Sequence, residues 1–191
     1  MNLPNKLTVI RLIIIPFFLL LMVLPLQSWG AVSFWGATIP MAQLIAAILF
    51  IAATITDNLD GQIARRHHLV TNFGKFMDPL ADKLLVSSAL ICLVALNKIP
   101  AWVVIVIIAR EFIISGFRLV AADNGVVIAA SYWGKFKTAF QMVTVIVLIL
   151  NIPGEVFAVI GTVLIYISLV LTVISLIDYI AKNKDVLKDQ K

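Results

Sequence analysis

The chain has 191 residues, 62% of them hydrophobic and only 13% charged, with a mean hydropathy of +1.07. Soluble domains carry roughly 25% charged residues, so this composition speaks against a soluble enzyme, and the net charge of +5 does not by itself argue for a nucleic-acid partner. Apolar residues in runs this long describe an integral membrane protein. It is expected to be all-α, because backbone groups inside a bilayer find no water and a helix satisfies them internally.

Six spans follow in chain order: Leu7 to Leu26, Ile39 to Thr56, Leu80 to Leu96, Ala101 to Val120, Trp133 to Ile152, and Val156 to Ala181. Each is long enough, or nearly so, to cross roughly 30 Å of hydrocarbon as a helix. The first has the Lys6 and Arg11 start of a signal peptide, but its apolar run is long for one and reads as a retained helix. The third is short and is expected to extend backwards through Pro79 and Asp78. It also holds Cys92, the single cysteine, so no intrachain disulfide forms. No repeat or linker interrupts the chain, which reads as one six-helix membrane domain over residues 1–191.

Basic residues orient the spans. With the N-terminus in the cytoplasm, every one of the 15 Lys and Arg residues except Lys98 falls on or toward the inner side. Both termini are then cytoplasmic. Trp29, Trp35, Trp102 and Trp133 fall near the interfaces, their usual place. His67 and His68 have the wrong spacing for a zinc site and read as a solvated loop. The tail KNKDVLKDQK reads as an exposed helix end beside anionic lipid.

Against this background one stretch stands out: TDNLDGQIARRHHLVTNFGKFMDPLADK, Thr56 to Lys83, with Asp57, Asp60, Asp78 and Asp82. Asp57, Asp60, Gly61, Ala64 and Arg65 follow helical spacing and share one face; Gly74, Asp78 and Asp82 are four apart and share another. Pro79 is compatible with a helix that starts near Lys75, since the first turn has unpaired donors anyway. Both faces lie at the cytoplasmic ends of antiparallel spans joined by His67 to Phe73, so they can meet. Carboxylates about 4–6 Å apart repel by roughly 3–4 kcal/mol per pair at an effective dielectric of 20. A shared pocket therefore calls for protonation or a cation, and oxygen-only ligands suit Mg²⁺, Mn²⁺ or Ca²⁺. The bland alternative is a row of solvated acids at the membrane edge. Gly61, Gly74 and Ala64 serve helix packing equally well. Arg65 either snorkels to headgroups or holds a phosphate beside the metal.

The residues spell D57-x2-D60-G61-x2-A64-R65-x8-G74-x3-D78-x3-D82, which resembles the signature of the CDP-alcohol phosphotransferase family at all eight fixed positions. PNKLTVIR (Pro4 to Arg11), GKFMDPLADKLL (Gly74 to Leu85), AREF (Ala109 to Phe112) and GKFKT (Gly134 to Thr138) extend the likeness over nearly the whole chain. They resemble the bacterial branch of the family that joins CDP-diacylglycerol to sn-glycerol 3-phosphate. Asn58 and Gln62 stand where many relatives carry bulkier residues, at variable positions of the motif. The resemblance implies a six-helix enzyme of the bacterial inner membrane, usually a homodimer, with its active site on the cytoplasmic side. Its substrates would be CDP-diacylglycerol and glycerol 3-phosphate, among membrane lipid, with CMP released and no nucleic acid involved.

The resemblance also distributes roles. Asp57, Asp60, Asp78 and Asp82 would hold Mg²⁺ or Mn²⁺, as two ions, and Asp82 would be the base that takes the proton of the glycerol 1-hydroxyl. CDP-diacylglycerol would lie against Asn5, Thr8, Asp57, Asp60, Gly61, Ala64, Arg65 and Gly74, although Asn5 also suits a helix N-cap. The acceptor's own phosphate needs a second anion site. Arg110 and Arg118, about 80° apart around one helix, with Lys135 and Lys137, would supply it. Glu111 could instead serve Arg110 as a structural partner. Other acceptors such as inositol phosphate or serine, an intramembrane prenyltransferase, and a cation or phosphate transporter are the competing readings. Transporters tend to show repeats and a midplane site, and this chain has neither.

Overall fold

The computed structural model describes residues 3–24, 29–34, 37–66, 72–123, 125, 126, 128, 129 and 131–184, without the side chains of 3–5, 34, 37, 57–66, 72–76 and 123. Six helices account for most of them: α1 (Leu3–Val23), α2 (Met41–Arg66), α3 (Asn72–Ala95), α4 (Ala101–Asp123), α5 (Tyr132–Leu150) and α6 (Glu155–Asn183). Between α1 and α2 lies a feature the sequence reading did not anticipate, an antiparallel hairpin of β1 (Ala31–Phe34) and β2 (Ala37–Pro40). Val32 pairs with Ile39 and Ser33 with Thr38. Two four-residue strands are too short to reveal themselves by alternation, and only the two-residue link ending in Gly36 hints at them.

Two expectations about helix starts are corrected. α1 already begins at Leu3, so Asn5 lies inside the first turn and is not its N-cap. Pro4 fits there because first-turn donors have no helical acceptor. α3 begins at Asn72, so Pro79 sits eight residues in, beyond the first turn. The helix continues regardless, with the ring's missing N–H released at the carbonyl of residue 75. The second shift lengthens the helical run that carries Asp78 and Asp82.

Local chemistry sets the other ends. Ser131 caps α5 by accepting the Gly134 N–H at 3.1 Å, and Asn151 closes that helix in the left-handed conformation (φ 44°, ψ 48°). Asn97 makes the same move after α3 (φ 56°), and the Lys98 N–H returns to the Leu93 carbonyl at 2.8 Å. Pro100 then opens α4.

α1 packs on α2 and α3, α5 on α6, α2 on α5, and α4 on α6. The core they share includes Phe18, Phe50, Leu85, Leu90, Leu93, Val103, Ile107, Val145 and Ile149. Ala46, Ala47 and Ala53 on α2 let neighbouring backbones approach. The Phe18 and Phe50 rings meet with centroids 6.0 Å apart.

Polar groups run the wrong way for a water-soluble protein. Thr8, Arg11, Arg110, Lys137, Gln141, Thr144, Ser168, Thr172 and Ser175 are buried, while Ile13, Phe17, Ile105, Phe112, Leu119, Val159 and Ile177 are exposed. An apolar outside around a polar inside is the arrangement a bilayer rewards. α1, α5 and α6 are long and apolar enough to cross a membrane. α3 and α4, at 24 and 23 residues, reach about 35 Å but carry Asp78, Asp82 and Lys83, and Arg110, Glu111 and Arg118. Their composition is diluted by the residues that line the cavity described next.

Candidate active site

The C-terminal turns of α2 and the N-terminal turns of α3 carry the aspartate motif on continuous helical backbone. The side chains of Asn5, Asp57, Asp60, Gly61, Ala64, Arg65 and Gly74, and the His67–His68 pair, lie outside the described residues. Asp78 and Asp82 lie within them, one turn apart on α3. The buried Thr8 hydroxyl of α1 donates a hydrogen bond to Asp78 Oδ1. This hydrogen bond ties α1 to the motif helix, through a residue expected to touch the nucleotide.

Asp82 opens into a cavity of about 460 Å³. Five helices line it: Thr54 from α2, Pro79, Asp82 and Lys83 from α3, Arg110, Glu111, Ile114, Ser115 and Arg118 from α4, Gly134, Lys135 and Thr138 from α5, and Tyr179 from α6. Thr54 stands one turn before Asp57 on α2, so the cavity abuts the motif on both of its helices. Three of the four residues expected to bind the acceptor phosphate, Arg110, Arg118 and Lys135, line this space together.

Each arginine is held by a different device. Arg110 is 6% exposed; its Nη1 donates to Glu111 Oε1 at 3.0 Å, and its Nη2 donates to Ser175 Oγ of α6. Arg118 lies over the Tyr179 ring, 5.9 Å from its centroid. Phe117 meets the same ring edge-on at 6.2 Å. The Tyr179 hydroxyl is buried with no hydrogen-bond partner among the described residues.

Lys137 is placed differently from its three companions. It is 1% exposed, and its Nζ donates to the same Glu111 oxygen that Arg110 uses. It lines a second, smaller cavity of about 40 Å³ with Asp82, Lys83, Ser87, Glu111 and Gln141. Glu111 is therefore the half-buried joint of a triad, Arg110–Glu111–Lys137, that links α4 to α5.

Sequence reasoning did not single out Ser131, Thr54, Ser175 or Tyr179. A signal for the last two exists. Ser168, Thr172, Ser175 and Tyr179 follow a 4-3-4 spacing down one face of α6, otherwise a nearly unbroken apolar helix. Gly134, Lys137, Gln141 and Thr144 make the matching stripe on α5. The two stripes meet where Thr144 Oγ1 and Ser168 Oγ approach to 2.8 Å.

The donor set suits a divalent ion. Asp78 and Asp82 offer hard carboxylate oxygens from one face of one helix. Among the described residues no three metal-ligating side chains cluster, and the other two aspartates of the motif fall outside that set. Asp82 and the basic side chains around one cavity can hold a phosphate group beside a carboxylate.

Residues 1–174 match the family model described as CDP-alcohol phosphatidyltransferase. A Bacillus subtilis (strain 168) protein named CDP-diacylglycerol–glycerol-3-phosphate 3-phosphatidyltransferase is 49% identical over 189 residues, 98% of this chain and 97% of the relative. Proteins of the same name from Haemophilus influenzae and Rickettsia bellii are each 37% identical, over 98% and 91% of this chain and 96% and 91% of their own length.

Proposed function

The chain belongs to the CDP-alcohol phosphatidyltransferase family, and from that premise we propose that it transfers the phosphatidyl group of CDP-diacylglycerol to sn-glycerol 3-phosphate. The products are phosphatidylglycerophosphate and CMP. Relatives that carry this activity in their names match nearly end to end. The observation in the molecule that carries the reading is the joining of Asp82 to Arg110, Arg118 and Lys135 around one cavity. An acceptor that is itself a phosphate monoester needs a base and a second anion site within one substrate's length.

Asp82 takes the proton of the glycerol 1-hydroxyl. That oxygen attacks the phosphorus bearing the diacylglycerol, the bond to the CMP phosphate breaks, and the phosphatidyl group passes to the acceptor. General-base help of this kind is typically worth 10²–10⁴-fold. Arg110, Arg118 and Lys135 hold the acceptor phosphate, with Lys137 behind them. Asn5, Thr8, Gly61, Ala64, Arg65 and Gly74 flank the CDP group. Arg65 would offset the charge that builds on the diphosphate as CMP departs. Asp57, Asp60, Asp78 and Asp82 would hold Mg²⁺ or Mn²⁺, as two ions, and divalent ions are general to the family. Bound there, they would draw negative charge from the diphosphate.

All six helices cross the membrane in this reading, α2 to α4 included: Asp82 and Lys83 of α3 and Arg110, Glu111 and Arg118 of α4 line the cavity, while Leu84, Ile91, Ile105, Phe112 and Leu119 are exposed. The termini and the aspartate motif face the cytoplasm of a bacterial inner membrane, and two copies pair as a homodimer.

The test is CMP release by purified protein in nanodiscs from CDP-diacylglycerol, with glycerol 3-phosphate, inositol phosphate or serine as acceptor. Release only with glycerol 3-phosphate, abolished by chelator, is the expected result. Preference for another acceptor keeps the chemistry and moves the specificity. No release with any acceptor removes the assignment.

A further inference from the structure

Among the described residues, Lys83, Arg110, Arg118 and Lys135 line the main cavity together with Asp82 and Glu111. Glu111 lowers the positive charge that this wall presents. It sits in the cavity wall, yet it also receives Lys137 from behind, a lysine withdrawn from solvent almost completely. A buried ammonium without a partner is strongly unfavourable, so Lys137 needs Glu111. Arg110, equally buried, needs it too. A pocket intended only to attract anions would gain nothing from a carboxylate at this spot, because it weakens the field of both cations.

We propose that Glu111 is a specificity-determining residue of the acceptor pocket: set between Arg110 and Lys137, it lowers the positive charge facing the acceptor phosphate and so discriminates against more highly charged anions. This rests on the reading that the cavity receives the acceptor's phosphate. Lys137 is then the counter-ion of Glu111 and does not touch the phosphate. Specificity built from a repulsive element is a general device where attraction alone cannot separate two ligands. Pyrophosphate, which carries more charge than a phosphate monoester, is the simplest anion to be refused.

The experiment measures inhibition of CMP release by inorganic pyrophosphate, competitive against glycerol 3-phosphate, at saturating CDP-diacylglycerol. Wild-type protein is assayed first, and absence of glycerol-phosphate-dependent CMP release there would count against the function, not against the role of Glu111. Glu111→Gln adds one net positive charge and is expected to tighten pyrophosphate inhibition about 10-fold relative to the acceptor KM. Lys137→Met is expected to weaken it. Glu111→Gln with Lys137→Met restores the net charge and is expected to return the inhibition constant to within about twofold of wild type. Unchanged or weaker inhibition in Glu111→Gln would overturn the proposal. So would a double variant that stays weak, since Lys137 would then be a direct phosphate ligand. If Glu111→Gln alone does not accumulate as folded protein, the double variant, which removes the buried Lys137 ammonium together with its partner and leaves Arg110 bonded to Ser175, decides the matter by the same criterion.

Discussion

The bundle has a cavity at each end, and the two differ in charge far more than in size. The motif end holds about 460 Å³ with six charged side chains on its walls among the described residues. The opposite end holds about 320 Å³ between the α3–α4 and α5–α6 turns, lined by Asn97, Asn151, Pro153, Gly154 and Thr162, with Lys98 the one charged lining residue among those described. Space alone arises wherever helices splay at their ends. What marks the motif end is that ionisable groups from separate helices converge on one cavity: Asp82 and Lys83 from α3, Arg110, Glu111 and Arg118 from α4, and Lys135 from α5. That contrast yields a series of measurements, each of which should act at one end and not the other.

The largest effect belongs to Asp82. Asp82→Asn keeps the size of the side chain and removes the base, and is expected to lower kcat by about 10²–10⁴-fold. The variant should still respond to added Mg²⁺ or Mn²⁺, since the other aspartates of the motif remain. Chelation of the wild type should bring CMP release to background, with recovery on metal addition. Wild-type turnover by Asp82→Asn would move the base elsewhere in the cavity.

Next in size is Arg118. Its guanidinium rests on Tyr179, and no carboxylate among the described residues forms a salt bridge with it, so its charge is available to a ligand. Hydrogen bonds to charged groups contribute about 1.5–3 kcal/mol, so Arg118→Ala is expected to raise the acceptor KM roughly 10–100-fold. The KM for CDP-diacylglycerol should hardly change. An unaltered acceptor KM would take Arg118 out of the phosphate site and leave the motif end with one fewer functional charge.

How much of this could be seen in the chain before any coordinates? The motif aspartates and the basic trio Arg110, Arg118 and Lys135 were legible because membrane helices tolerate charge only for cause. A handful of ionisable residues in apolar runs is a short list. The six helices were legible from run length for the same reason. What was not legible was the grouping. Glu111 and Lys137 are 26 residues apart, and Arg110 and Ser175 are 65 apart. Only the packing of α4 on α6 and of α5 alongside turns those separations into contacts. Lys137 therefore looked like a fourth phosphate ligand, and its burial on Glu111 could not be read from charge alone. The hydroxyl stripe on α6 was readable in principle by its spacing, but hydroxyls disperse easily in an apolar helix by bonding back to their own backbone, as Thr172 does to Ser168 at 2.7 Å.

A smaller and more local effect is expected at Gly134. A Cβ there would come within 3.3 Å of both Arg110 Nη2 and Ser131 Oγ. The α5 backbone approaches Arg110 closely because position 134 carries no side chain. Gly134→Ala has to displace the guanidinium or the cap, and crowding of this kind costs roughly 1 kcal/mol or more. Because the end of Arg110 moves more easily than the helix, the acceptor KM is expected to rise about fivefold with little loss of thermal stability, which nanodisc-based unfolding would monitor. A large loss of stability with an unchanged KM would mean that the cap at Ser131 yields first and that Arg110 keeps its place.

The smallest effect is expected at the opposite end. Lys98 follows the left-handed Asn97 in the turn between α3 and α4, and its N–H closes that turn on Leu93. Its side chain can be shortened without touching that backbone bond, because the N–H belongs to the main chain whatever the residue. It forms no ion pair among the described residues. Lys98→Ala should therefore leave kcat and both KM values within about twofold and shift stability by no more than about 0.5 kcal/mol, as surface substitutions do. A clear fall in turnover would change the meaning of the comparison: the uncharged-looking end would then communicate with the chemistry along α3, the helix that carries Lys98 just past one terminus and Asp78 and Asp82 near the other.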